Sequence, residues 1–183
     1  MREKYFKWKY FKPAVTLGLI TTVMSTILIV TASLIPDMSG VMTDKLHAAC
    51  VELMGEGEFS IMELDNLPNG VNKLIIKEGT LLPQGIAFEI TATGYNPDSI
   101  TALVAMNNNG TIRGVYLLSV KDSPGYDKRV NTPDFLSQFT GATADSQFDS
   151  VTGATRSSEG VIKAINIAIE TYERFGELGV YFF

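Results

Sequence analysis

The residues that suggest chemistry most clearly lie at positions 149–158, with the sequence DSVTGATRSS. This segment is rich in hydroxyl side chains and small residues, and it leads into an apolar periodicity typical of a helix. The first N–H groups of a helix have no partner within it and the helix dipole is positive there, so such a segment can bind a phosphate. Gly153 and Ala154 leave the backbone open to that group, and Arg156 can add a charge. The same residues are also compatible with a plain Ser/Thr helix cap.

Two elements must position this segment, a loop before it and a helix after it. Residues 121–158 are mostly Gly, Pro, Asp, Ser and Thr, and we expect a long loop there. Loops of that length in compact domains are usually functional. The helix is predicted to end near Phe175 and Gly176, and its apolar face consists of Val161, Ala164, Ile165, Ala168, Ile169 and Tyr172.

An antiparallel sheet is predicted upstream of the loop. Residues 86–92 alternate, with Ile86, Phe88 and Ile90 on one face, and the apolar segments 100–106 and 111–120 flank an Asn-rich turn at 107–110. Residues 45–57 have helical spacing, which makes Cys50 a buried small hydrophobe. The predicted fold class is α+β, a twisted antiparallel sheet with packed helices.

The N-terminal segment differs in composition from the rest of the 183-residue chain. Residues 1–12 carry five basic side chains and one acidic one, and residues 13–35 carry no charge. As a helix, that apolar segment spans about 35 Å, enough to cross a bilayer core of about 30 Å. We therefore expect a basic cytoplasmic tail, a single transmembrane helix over 13–35, and an extracytoplasmic domain over 37–183, with the orientation set by the positive-inside rule.

Composition also excludes several classes of function. Outside the tail the chain has a net charge of −9, which argues against non-specific nucleic-acid binding. A single cysteine cannot form an intramolecular disulfide, and a single histidine, His47, excludes a His-rich metal site. We found no nucleophile–base pair and no dinucleotide-binding fingerprint, so we expect neither a catalytic residue nor a metal site in this chain.

Residues 152–157, TGATRS, resemble the (S/T)-G-A-T-x-(S/T) signature of the FMN-binding domain, which occurs in the G subunit of the Rnf electron-transport complex. The related C subunit of the sodium-pumping NADH:quinone reductase also contains it. The resemblance implies that Thr155 carries FMN through a phosphoester bond, made by a flavin transferase that uses FAD. It also implies cofactor-binding roles for the neighbouring residues Asp149, Thr152, Gly153, Ala154, Ser157 and Ser158.

The loop at 122–127, DSPGYD, is similar to the family segment E-T-P-G-x-G. The resemblance places Asp122, Ser123, Pro124, Gly125 and Tyr126 beside the flavin. Tyr126 either lies against the isoalloxazine ring or is a surface residue, and Asp122 either bonds the ribityl hydroxyls or stabilises the turn. Asp127 replaces the second glycine of the family segment.

A second TGAT sequence at 140–143 serves as an internal control. It has Ser137 where the other copy has Asp149, and no apolar helical periodicity follows it. We therefore predict that Thr155 is modified and that Thr143 is not.

The resemblance implies an electron-transfer flavoprotein in the cell membrane, as part of a ferredoxin:NAD oxidoreductase complex that moves sodium ions or protons. Its partners would be the other subunits of that complex and the flavin transferase. Three alternatives remain open at this stage. They are the quinone-reductase subunit, a membrane-anchored module that binds flavin or phosphate without redox turnover, and an assembly subunit with a vestigial motif.

Overall fold

A computed structural model describes residues 2–34, 40–62, 67–79 and 84–177, and the chain divides into two compact units, residues 1–38 and 39–183. The first unit contains helix α1, Arg2–Leu34. Its large apolar side chains between positions 15 and 30 are exposed by 48–70%. Within the described residues, we find no helix that combines the length and the apolar character needed to cross a membrane. The anchor predicted over 13–35 includes positions outside the described residues, and it stays a prediction.

The second unit is built on a five-stranded antiparallel sheet whose strands follow one another in chain order. The strands are β1 Phe59–Met62, β2 Val71–Lys77, β3 Gly85–Ala92, β4 Ile100–Met106 and β5 Ile112–Val120. The predicted α+β class with an antiparallel sheet is confirmed, and the three predicted strands match β3, β4 and β5 closely. The sequence analysis did not identify β1 or β2. In β2 four consecutive residues from position 73 to 76 are buried, so both faces are covered and the polar–apolar alternation is lost.

The sheet is covered by helices on both faces. Phe88, Val104 and their neighbours on one face form a core with helix α5, Thr155–Glu177. Ala87 and Leu103, which alternate with them, pack on the other face with helix α2, Asp44–Met54. Cys50 of α2 is fully buried, as predicted.

The region expected to be one long loop contains two short helices, α3 Tyr126–Val130 and α4 Pro133–Ser137. That expectation was therefore wrong in part. Three aromatic side chains in and after α4 pack edge to face, and Phe139 between the other two is fully buried, so this segment packs into the core formed by the sheet and α5. They are Phe135, Phe139 and Phe148.

Candidate functional site

The motif at 152–157 forms a tight turn that opens directly into α5. Gly153 has a φ of +77°, a left-handed conformation that favours glycine, and the N–H of Ala154 donates to the carbonyl of Val151 at 3.0 Å. Ser158 closes the turn from inside, because its hydroxyl accepts from the N–H of Val151 at 3.0 Å and donates to the carbonyl of Ala154 at 2.9 Å. Thr155 is the first residue of the helix and its side chain is exposed.

A pocket of about 240 Å³ lies against this helix start. Tyr95 and Tyr126 contribute aromatic side chains that are 60% and 40% exposed, and the rest of the lining is the backbone and side chains of residues 153–157. The guanidinium carbon of Arg156 lies 5.8 Å from the ring centroid of Tyr95, within range of a cation–π interaction. The pocket therefore combines a hydroxyl, a positive charge, the N–H groups of a helix N-terminus and two aromatic rings.

Asp122 does not line this pocket but lies behind it. Its carboxylate accepts a hydrogen bond from the hydroxyl of Ser157 at 2.5 Å and another from the N–H of Asn96 at 3.1 Å. Partial burial acts to raise the pKa of Asp122, but hydrogen bonding from Ser157, Ser99, Asn96 and Tyr95 outweighs it and holds the pKa below its ordinary value.

The structure brings some of the predicted site residues to the pocket and leaves others outside its lining. Tyr126, Gly153, Ala154, Thr155 and Ser157 line it. Ser158 faces the turn interior, and Asp149 is held through its backbone by the side-chain amide of Gln138. The loop residues Ser123, Pro124 and Gly125 precede Tyr126 and do not line the pocket. Thr152 is exposed in the turn next to the pocket and does not line it either.

The sequence analysis missed two residues at the site. Tyr95 was not predicted as a site residue, because no local signal shows that its part of the chain reaches the start of α5, 60 positions later. Arg129 of α3 lies over Gly153, because a Cβ built on that glycine would come within 2.5 Å of the Arg129 Nη1 atom. Arg129 is in the region that had been expected to be a loop.

The two TGAT sequences share a turn and then diverge. Gly141 has a φ of +80° and the N–H of Ala142 donates to the carbonyl of Phe139, which repeats the geometry at Gly153. After the turn, however, the N–H of Thr143 donates to the hydroxyl of Ser146 at 2.9 Å, and no helix begins there within the described residues. The prediction that only the second copy opens a helix is confirmed.

Comparison with known proteins gives the family context of this geometry. Residues 94–170 match the model of the FMN-binding domain. The chain is also similar to proteins whose names describe the G subunit of an ion-translocating oxidoreductase complex. The relative from Vibrio cholerae serotype O1 is 34% identical over 104 residues, covering 48% of this chain and 49% of the relative. That from Stutzerimonas stutzeri is 32% identical over 103 residues, covering 48% and 45%.

The chain thus spans about half the length of the curated relatives that it matches. The resemblance inferred from residues 152–157 is confirmed, since the matched segment contains that motif, the Asp122 loop and Tyr95. The family match supports FMN as the cofactor.

Proposed function

We propose that Thr155 carries FMN through a phosphoester bond and that this chain is an electron-transfer subunit of an Rnf-type ion-translocating oxidoreductase. One observation supports this above the others. The exposed hydroxyl of Thr155 stands at the first turn of α5, in a pocket flanked by two tyrosines, inside a segment that matches the FMN-binding domain. The donors of this pocket suit a phosphate, and its aromatic rings suit a flat ring system.

The attachment reaction is a transfer from FAD. The Thr155 Oγ–phosphorus bond forms as the pyrophosphate bond of FAD breaks, AMP leaves, and the hydroxyl proton passes to the flavin transferase. The resulting phosphodiester carries a negative charge. The first-turn N–H groups of α5 and the guanidinium of Arg156 are positioned to stabilise that charge.

Once attached, FMN would supply reversible electron transfer, while the polypeptide supplies position and surroundings. Tyr95 and Tyr126 would provide apolar surface beside the pocket and keep part of it from water. We assign no independent active site to this chain, and in this proposal electrons arrive from one neighbouring redox subunit and leave to another.

We further propose that residues 13–35 anchor the chain in the cell membrane, with residues 1–12 in the cytoplasm and the flavin domain outside it. The exposed apolar side chains of α1 support this. So do the threonines of α1: the hydroxyls of Thr22 and Thr26 donate to the carbonyls of Gly18 and Thr22, both at 2.8 Å, and so stay satisfied without water. The complex would couple electron transfer from ferredoxin to NAD to the movement of sodium ions or protons.

The experiment compares Thr155→Ala with the matched control Thr143→Ala. Each full-length chain is co-expressed with the flavin transferase, and fluorescence on a denaturing gel is read together with intact mass. We expect wild type and Thr143→Ala to be fluorescent and heavier by one FMN less one water, and Thr155→Ala to be dark at equal protein level. FMN retained by Thr155→Ala would overturn the assignment of the residue. A bare wild-type chain, with the transferase shown to be active, would overturn the proposed function.

Redox turnover separates this function from a module that only binds flavin. In membranes that contain the whole complex, electron input should bleach the visible absorption of the attached flavin within the turnover time. A flavin that stays oxidised while the complex turns over would favour the binding module.

A further inference from the structure

We propose that Asp122 is a positioning residue: it clasps the turn at residues 94–96 to the first turn of α5 and so fixes where Tyr95 and Thr155 stand in the pocket. The significance of that pocket rests on the proposed function. The clasp itself is a property of the polypeptide and can be tested without any flavin.

The Asp122 carboxylate accepts its hydrogen bonds from groups within the protein. An ionised carboxylate has about four acceptor positions. The hydroxyl of Ser157 and the backbone N–H of Asn96 each donate to one of them. These two bonds join α5 and the turn through the same carboxylate, so of the two roles considered for Asp122 the structure favours the one within the protein.

The register of the sheet explains why the turn meets Asp122. Ile100 of β4 pairs with Val120 of β5, and the N–H of Lys121 donates to the carbonyl of Ser99 at 2.7 Å. Asp122 therefore follows the end of β5 immediately beside the start of β4. The turn that leads into β4 therefore lies beside the Asp122 carboxylate, and the N–H of Asn96 in this turn donates to it.

The packing of α5 brings the third component. Gly160 lies so close to Gly94 that a Cβ on Gly160 would come within 2.7 Å of the Gly94 Cα atom. Ser157 precedes Gly160 by three residues and so shares its helix face. This contact places the Ser157 hydroxyl on the same carboxylate that holds the turn.

Burial makes the clasp important for the local structure. Ser157 is 1% exposed, so water has little access to replace the carboxylate as the partner of its hydroxyl. The hydroxyl of Ser99 accepts from the N–H of Gly94 at 3.2 Å, which extends the network to the close helix contact. Without the carboxylate, the turn that carries Tyr95 and the helix start that carries Thr155 lose their shared anchor.

The test uses Asp122→Asn, Ser157→Ala and the double variant, with Asp127→Asn as the control. Asp127 is in the same loop, but among the described residues its carboxylate accepts only a local bond, from the N–H of Gly125. Hydrogen–deuterium exchange is measured by mass spectrometry on the full chain in detergent, expressed without the transferase. Amides in the peptide that covers residues 94–99 should exchange about tenfold faster in both single variants than in wild type or the control. The double variant should exchange no faster than the faster single variant, because both changes break the same clasp.

A second measurement uses the same variants after FMN attachment, at equal loading by intact mass. Tyrosine beside a flavin quenches its emission, so emission should rise toward that of free FMN in Asp122→Asn and Ser157→Ala and stay at the wild-type value in the control. Flavin emission is measured well below the unfolding temperature, so a change in emission reports the position of the tyrosine and not a general loss of stability.

Unchanged exchange at residues 94–99, or additive effects in the double variant, would overturn the clasp. Faster exchange with unchanged flavin emission would overturn its positioning role. If wild type itself carried no FMN, the proposed function would fail, while the exchange data would still decide the clasp.

Discussion

The close contact between Gly160 and Gly94 makes a quantitative prediction for the variant Gly160→Ala. In a helix interior, replacing Gly by Ala normally stabilises by about 1 kcal/mol. Here the new Cβ would lie 2.7 Å from the Gly94 Cα atom, 3.0 Å from the Gly94 nitrogen and 2.9 Å from Cγ1 of Ile100. Two of these three atoms are backbone and cannot rotate away, so α5 or the turn has to move.

The size of the effect follows from these opposing contributions. Overpacking of a close contact costs about 1–3 kcal/mol, and a backbone obstacle places the cost in the upper half of that range. Subtracting the helix gain leaves a net loss of about 1–2 kcal/mol. For a folded unit of this size that corresponds to a fall in melting temperature of roughly 3–8 °C.

The assay is thermal unfolding of the full chain followed by near-ultraviolet circular dichroism, which reports the packing of aromatic side chains. Gly176→Ala is the matched control, since Gly176 is in the same helix and no described atom lies within 4 Å of its added Cβ. We expect the control to raise the melting temperature slightly, in line with a gain of about 0.5 kcal/mol near a helix end. If Gly160→Ala were as stable as Gly176→Ala, the close packing that brings Ser157 to Asp122 would be refuted.

Three further predictions concern Asp122, the two TGAT turns and Cys50. Hydrogen bonds hold the pKa of Asp122 below its ordinary value. The stability that the ionised carboxylate contributes is therefore complete above the unfolded-state pKa of about 3.9 and is lost as the pH falls through the folded-state pKa. Urea midpoints measured between about pH 5 and pH 2.5 should fall less steeply with pH in Asp122→Asn than in wild type. Gly153→Ala and Gly141→Ala should each lose about 1–2 kcal/mol in urea unfolding because of their positive φ. Only Gly153→Ala, which alters the turn directly before Thr155, should lower FMN loading by intact mass, and equal loading would contradict a role for that turn in presenting Thr155. Burial, helped by the charge of Glu89, raises the pKa of the Cys50 thiol to about 11, so a thiol reagent at pH 8 should label the chain only after denaturant is added. Rapid labelling of the native chain would show that Cys50 is not buried between α2 and the sheet.

Local patterns predicted those parts of the fold that local physics controls. The alternation in β3 placed Ile86, Phe88 and Ile90 on one face, and all three are fully buried in the core against α5. The apolar period after position 155 predicted α5, and its absence after Thr143 separated the two TGAT copies. These signals succeed because a single buried face dictates the residue types along one element.

The same reasoning failed where burial was not one-sided or where local composition conflicted with packing. Strand β2 is covered on both faces and so has no alternation to detect. Helices α3 and α4 are only five residues long, too short to show a helical period, and the buried Phe135 and Phe139 stabilise that segment by tertiary contacts.

The sequence by itself determined which hydroxyl is a candidate for FMN, because the turn, the helix start and the motif are all encoded within the few residues around Thr155. Only the tertiary structure decided what surrounds that hydroxyl. Tyr95 and Asp122 meet the motif because the β4–β5 register and the Gly94–Gly160 contact bring distant segments together, and α3 brings Arg129 to Gly153. No local periodicity carries that information, since it depends on how strands pair and how closely a helix can approach a turn.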